Sequence, residues 1–224
     1  MSRVEGVFER LARERAGAYI PYVCAGDPDR DFTVSLATEL LGAGADILEL
    51  GIPFSDPVAD GPVIQGAMQR SLENGFRVSD VFGIVESIRR EGFEQPIVLM
   101  TYTNPVMRMG LSDFCSRAAR SGADAILMVD MPLEESHELD AQAKGHGLDM
   151  IRLVSPSTTD GRIGEIVSRG SGFIYAVSVA GVTGARTSLS ESARTLLQRV
   201  VPKSSLPVGA SKCASMGMRF LRSA

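Results

Sequence analysis

Glu49 and Asp60 stand eleven positions apart in the stretch ILELGIPFSDPVADGP, residues 47 to 62. Glu49 interrupts an apolar run, Ile47-Leu48-Glu49-Leu50, and Asp60 closes a loop that carries Pro53, Pro57 and Pro62. A carboxylate in an apolar strand is costly unless it is paired or functional. Burial lifts its pKa towards neutrality, where one carboxyl group can both donate and accept a proton. The chemistry these residues could do is therefore acid–base catalysis by carboxyl groups. No serine elbow or cysteine–histidine metal spacing competes with them.

Each residue also has a plainer reading. Glu49 could be a structural glutamate paired with an arginine. Asp60 could cap a helix starting at Pro62, since Asp-Gly-Pro is a good start sequence. Asp56, before Pro57, reads as a turn or interface residue. Tyr102 and Tyr175 could be core aromatics. The two glycines around Thr183 could mark an ordinary loop.

The elements that must position these groups follow a regular rhythm. Apolar runs occur at 18–26, 45–51, 96–102, 123–130, 148–155, 172–179 and 206–209, rich in Val, Ile and Leu without strict alternation. Such runs indicate strands buried on both faces, as in a parallel sheet. Helical stretches at 32–44, 78–92, 111–122 and 132–147 lie between them, each opening near Ser, Asp or Pro and stopping at Gly. Repeated strand–helix units make consecutive βα modules. No linker or composition break divides the chain, so 1–224 is expected to form a single domain.

A doubly wound sheet would carry a Gly-rich phosphate loop after its first strand. Here that position reads CAGDPD. A (β/α)8 TIM barrel fits better, with active-site groups at the C-terminal strand ends. Glu49, Tyr102, Asn104, Asp130, Tyr175 and the loop 178–186 then face one mouth. Seven strands can be counted, one short of a barrel, so the barrel is expected to be truncated after the seventh.

The net charge of −4 argues against nucleic acid as the main partner. No run reaches membrane-spanning length and the charged N-terminus lacks a signal core. Three scattered cysteines point to a reducing, cytoplasmic setting. His137 and His146 fall in one polar stretch and read as solvated helix residues.

The combination of PYVCAGDPD (21–29), LELGIPFSDPVADGPVIQ (48–65), MTYTNPVMRMG (100–110), VDMPLEES (129–136), LVSPSTTDGRI (153–163) and GFIYAVSVAGVTGAR (172–186) resembles the tryptophan synthase alpha chain family. The resemblance runs over about residues 5–209. It implies a TIM-barrel lyase of tryptophan biosynthesis that cleaves indole-3-glycerol phosphate to indole and glyceraldehyde 3-phosphate by a retro-aldol step, without cofactor or metal. Glu49 matches the proton-transferring residue. Asp60 matches the carboxylate that meets the indole N–H from a mobile loop. Tyr22, Ile64, Met100, Tyr102, Leu127, Leu153, Tyr175 and Thr183 match the substrate pocket, with variation from the family expected at Tyr22 and Met100. Thr183 is expected to orient Asp60, and Gly184 to offer a backbone N–H to the phosphate. The implied partner is a tryptophan synthase beta chain in an αββα tetramer, the pyridoxal phosphate belonging to that partner. Segments 53–60 and 100–110 resemble the surface facing it.

The resemblance stops after residue 209. The tail 210–224, ending ASKCASMGMRFLRSA, is basic and shows no strand–helix pattern. It is expected to derive from a frameshift or a misread frame, and to leave the first and seventh strands as unpaired edges. Two further readings stand beside the lyase. One is a truncated, catalytically weak alpha-like subunit that binds and activates the beta chain. The other is a different sugar-phosphate barrel enzyme, which the loop motifs disfavour.

Overall fold

The computed structural model describes residues 1–177, 191–211 and 218–221. Seven parallel strands follow one another in sequence order: β1 (Tyr22–Cys24), β2 (Leu48–Gly51), β3 (Ile97–Thr101), β4 (Ala125–Met128), β5 (Asp149–Val154), β6 (Ile174–Ala176) and β7 (Val208–Ser211). Helices α1 (Arg3–Glu14), α2 (Arg30–Gly42), α3 (Pro62–Glu73), α4 (Asp80–Arg90), α5 (Thr103–Met109), α6 (Leu111–Ser121), α7 (His137–Gly145), α8 (Asp160–Ser168) and α9 (Glu191–Val200) intervene or precede. The curled sheet is the TIM-barrel-like α/β architecture expected from the strand–helix rhythm.

Its last strand differs from expectation. β8 (Met218–Leu221) runs antiparallel to β7, with Gly209 opposite Phe220. The tail therefore supplies a strand, and the β7 edge is paired rather than open. Among the described residues β1 pairs only with β2, so that edge remains as expected.

Side chains alternate across the sheet because successive Cβ atoms point to opposite faces. Ile47, Val98, Leu127, Ile151 and Phe173 point inwards and are 1% exposed or less. Leu48, Leu50, Ile97, Leu99 and Ile126 point outwards against Leu41, Ile84, Ile88 and Phe114 of the surrounding helices. Both faces are covered, which is why the strands read as continuous apolar runs. Each buried aliphatic or aromatic side chain contributes about 1.5–3 kcal/mol.

α1 closes the N-terminal end of the inner core. Ser2 and Glu5 form a reciprocal capping box at its start. Val4, Phe8 and Leu11 then share one face, and the Phe8 ring lies 5.6 Å from that of Phe173. Nearby, buried Asp124 accepts from Arg89 at 2.6 Å, from Arg3 at 3.1 Å and from the Ile97 N–H at 2.8 Å. Arg89 also donates to the carbonyls of Gly122, Phe93 and Gln95. This face is built for anchoring, and the opposite rim is left for a site.

Candidate active site

Glu49 sits on β2 between Leu48 and Leu50 and is 3% exposed. Its Oε1 atom has no hydrogen-bond partner, and no ion pair reaches it among the described residues. The arginine pairing open to it from sequence is not realised among the described residues. Removal from water raises its pKa from 4.5 to about 8. The side chain is therefore a neutral acid at pH 7 that can become a base after giving up its proton.

Asp60 approaches from the loop between β2 and α3. Gly61, with φ −78° and ψ 167°, is the N-cap of α3, and Pro62 takes the first helical position. The Asp60 side chain is thus free of capping duty, contrary to that reading of Asp-Gly-Pro. It instead accepts a 2.7 Å hydrogen bond from the Tyr102 hydroxyl. The same hydroxyl accepts from the Ala59 N–H at 3.1 Å. Tyr102 is 1% exposed at the end of β3, so a rigid strand end holds the loop at two adjacent residues. Partial burial raises the Asp60 pKa, and the Tyr102 hydrogen bond opposes that rise. The two carboxyl groups thus sit in different environments, Glu49 without a donor on Oε1 and Asp60 with the Tyr102 hydroxyl donating to it.

The walls are apolar. Met100, Leu127, Leu153 and Tyr175 belong to the inner core, with Leu127 buried and the other three partly exposed at the mouth. Tyr22 and Ile64 pack with Tyr102, Met68 and Cys24 in a second cluster beside it. The seven described residues among the nine expected lining positions thus fall into these two apolar clusters, and Tyr22 is near enough to both Glu49 and Asp60 to feel their charges. Thr183, Gly184 and the rest of loop 178–186 lie outside the described residues. Asn104 is exposed on α5. Asp130 is occupied, accepting from the Thr103 N–H and hydroxyl at 2.7 and 2.8 Å. Asp56 is exposed and bonded to Ser55, as befits a turn residue.

Two lining residues escaped the sequence reading. Phe54 stacks on Tyr102 with ring centroids 5.2 Å apart at 33°. Val129 joins both apolar clusters. Val129 lies two residues after Leu127, and that period-2 spacing was the available signal. For Phe54 the signal was an aromatic three residues past the end of a strand that carries a buried acid.

Such a site, a buried acid on the second strand with a carboxylate on the following loop and an apolar mouth, can be set beside known proteins. Residues 8–212 match the family profile described as tryptophan synthase alpha chain. The chain belongs to the tryptophan synthase alpha chain family. It is 47% identical over 204 residues to the alpha chain of Methanosarcina acetivorans, covering 90% of this chain and 74% of that one. To the alpha chain of Carboxydothermus hydrogenoformans it is 45% identical over 208 residues, covering 93% and 78%. Its structure is similar to that of Mycobacterium tuberculosis tryptophan synthase with a TM-score of 0.88 at 39% identity, covering 93% of this chain and 79% of that one. The Legionella pneumophila tryptophan synthase alpha subunit matches with a TM-score of 0.85, also at 39% identity, over 94% and 78%. The sequence match ends at residue 212, so most of the tail lies outside it.

Proposed function

We propose that the chain is a carbon–carbon lyase that cleaves indole-3-glycerol phosphate to indole and glyceraldehyde 3-phosphate. The observation that carries this reading is Glu49: a buried carboxyl group whose Oε1 atom has no partner among the described residues, raised in pKa to about 8, on the strand position paired with buried Val98.

The reaction needs a proton first and a base second. Glu49 gives its proton to the indole ring carbon that bears the side chain. The ring nitrogen gains positive charge, and the Asp60 carboxylate accepts a hydrogen bond from its N–H and stabilises that charge. The Glu49 carboxylate then takes the proton of the hydroxyl on the adjacent side-chain carbon. The O–H electron pair becomes the carbonyl bond and the carbon–carbon bond breaks. Its electron pair restores the aromatic ring and neutralises the nitrogen. Glu49 ends protonated, ready for the next substrate.

Tyr102 holds Asp60 where the indole nitrogen arrives. Tyr22, Phe54, Ile64, Met100, Leu127, Leu153 and Tyr175 take the flat ring, while Thr183 and Gly184 serve Asp60 and the phosphate. In this reading the chain needs no cofactor or metal of its own and works in the cytoplasm. It pairs with a beta chain that carries pyridoxal phosphate, in an αββα tetramer. Val58 and Met107, in the two segments proposed to face that partner, are 84% and 55% exposed, which supports an apolar contact there. The intact pair of carboxyls favours the enzyme over a non-catalytic activator. Indole release from indole-3-glycerol phosphate by the purified chain, alone and with a beta chain, tests the proposal. Equal release by Glu49→Gln would remove Glu49 from the mechanism.

A further inference from the structure

A buried hydroxyl beside Glu49 is left without a function by this mechanism. Tyr22 on β1 is paired in register with Glu49 on β2. Its ring is partly exposed, but its hydroxyl is buried against the Cys24 thiol, with no oxygen or nitrogen partner among the described residues. Among the described residues the Glu49 Oε1 atom is likewise buried without a hydrogen-bond partner.

Gly51 fixes where the Tyr22 hydroxyl lies. A Cβ built on Gly51 would come within 2.1 Å of the Tyr22 oxygen and 2.4 Å of the ring carbon that bears it. Residues 49 and 51 share one face of β2, since side chains alternate. The hydroxyl therefore lies over Gly51, on the face of β2 that also carries Glu49, and only glycine at 51 admits it. A donor set only against a weakly accepting thiol and an acceptor with no donor, both buried, each carry a desolvation penalty. One group that both accepts and donates relieves both at once.

We infer that Tyr22 and Glu49 together recognise the side-chain hydroxyl of the substrate: that hydroxyl donates to Glu49 and accepts from Tyr22. This rests on the proposed lyase function. As Glu49 removes the hydroxyl proton, its oxygen gains negative charge before the carbonyl forms. The Tyr22 O–H donates to that oxygen throughout and keeps its own proton. Burial raises the Tyr22 pKa well above its ordinary value, so the donor persists across the working pH range. Tyr22 is then a substrate-contacting donor that selects indoles with a hydroxylated side chain over alkyl ones.

The test is Tyr22→Phe, assayed with a saturating beta chain on indole-3-glycerol phosphate, with indole-3-propanol phosphate as a competing ligand that lacks the hydroxyls. The expected result is a kcat lowered roughly tenfold to a hundredfold. The inhibition constant of the propanol phosphate stays within about twofold, and the melting temperature does not fall. An unchanged kcat overturns the inference, as does a propanol phosphate affinity that weakens by the same factor, which would make Tyr22 a packing residue. If the wild type itself releases no indole, the lyase proposal fails instead, and the inference fails with it.

Discussion

The Tyr102 hydroxyl joins the end of β3 to Asp60, donating across 2.7 Å to the carboxylate while accepting from the Ala59 N–H at 3.1 Å. Two consecutive residues of the proline-rich loop are thereby held by one buried side chain of the sheet. The loop carboxylate is thus held near Tyr22, the residue that also feels the charge of Glu49.

Tyr102→Phe removes that donor and leaves the ring stacked on Phe54. A hydrogen bond to a charged group contributes about 1.5–3 kcal/mol. The expected outcome is a fall in kcat/KM of about tenfold to a hundredfold, measured by indole release. A variant with wild-type kcat/KM would show that Asp60 is oriented by something else.

Glu49 should also leave a mark on stability. Its folded pKa of about 8 lies above the usual 4.5. Below that lower value both states hold the proton and the group costs nothing. As pH rises towards 8 the unfolded chain ionises while the folded one does not, so stability is lost, by at most about 5 kcal/mol. Glu49→Gln removes this loss. Its melting temperature should exceed that of the wild type at pH 8.5, with the gain disappearing near pH 4.5. A gain independent of pH in differential scanning calorimetry would contradict the raised pKa.

The opposite end of the sheet should respond differently. Arg89→Ala leaves Asp124 buried with Arg3 as its remaining cation. Breaking a buried pair this way costs about 3–5 kcal/mol. Urea unfolding should show that loss, with the alkaline limb of the activity profile unmoved. A loss below about 1 kcal/mol would mean that the network behaves like a surface ion pair.

Met107 lies on α5 and is 55% exposed in a segment proposed to face the beta chain. Met107→Lys should weaken beta-chain binding about tenfold or more by calorimetric titration, since a charge then enters an apolar contact. Unaltered affinity would place the interface elsewhere.

Much of this was legible before the structure. The apolar runs marked the seven parallel strands because burial on both faces leaves no alternation to misread. Glu49 was legible because an acid in such a run demands a reason. Asp60 was half legible: Asp-Gly-Pro also reads as a cap, and only the extended backbone of Gly61 shows that the cap is taken without it. Strand β8 was not legible, because a short segment added to a sheet edge is specified by the edge and not by its own period. Neither was the Tyr22 hydroxyl, whose position depends on the missing side chain of Gly51 on a neighbouring strand.

The most direct test concerns Glu49 as the group that moves the proton. The measurement is kcat/KM for indole-3-glycerol phosphate from pH 6 to 10 by the wild type, and at pH 7 by Glu49→Gln. The predicted result is an activity that falls as pH rises through about 8, where the carboxyl ionises, together with a loss of at least about a hundredfold in the variant. A variant that releases indole at the wild-type rate, or a wild-type profile flat through that range, would contradict the assignment.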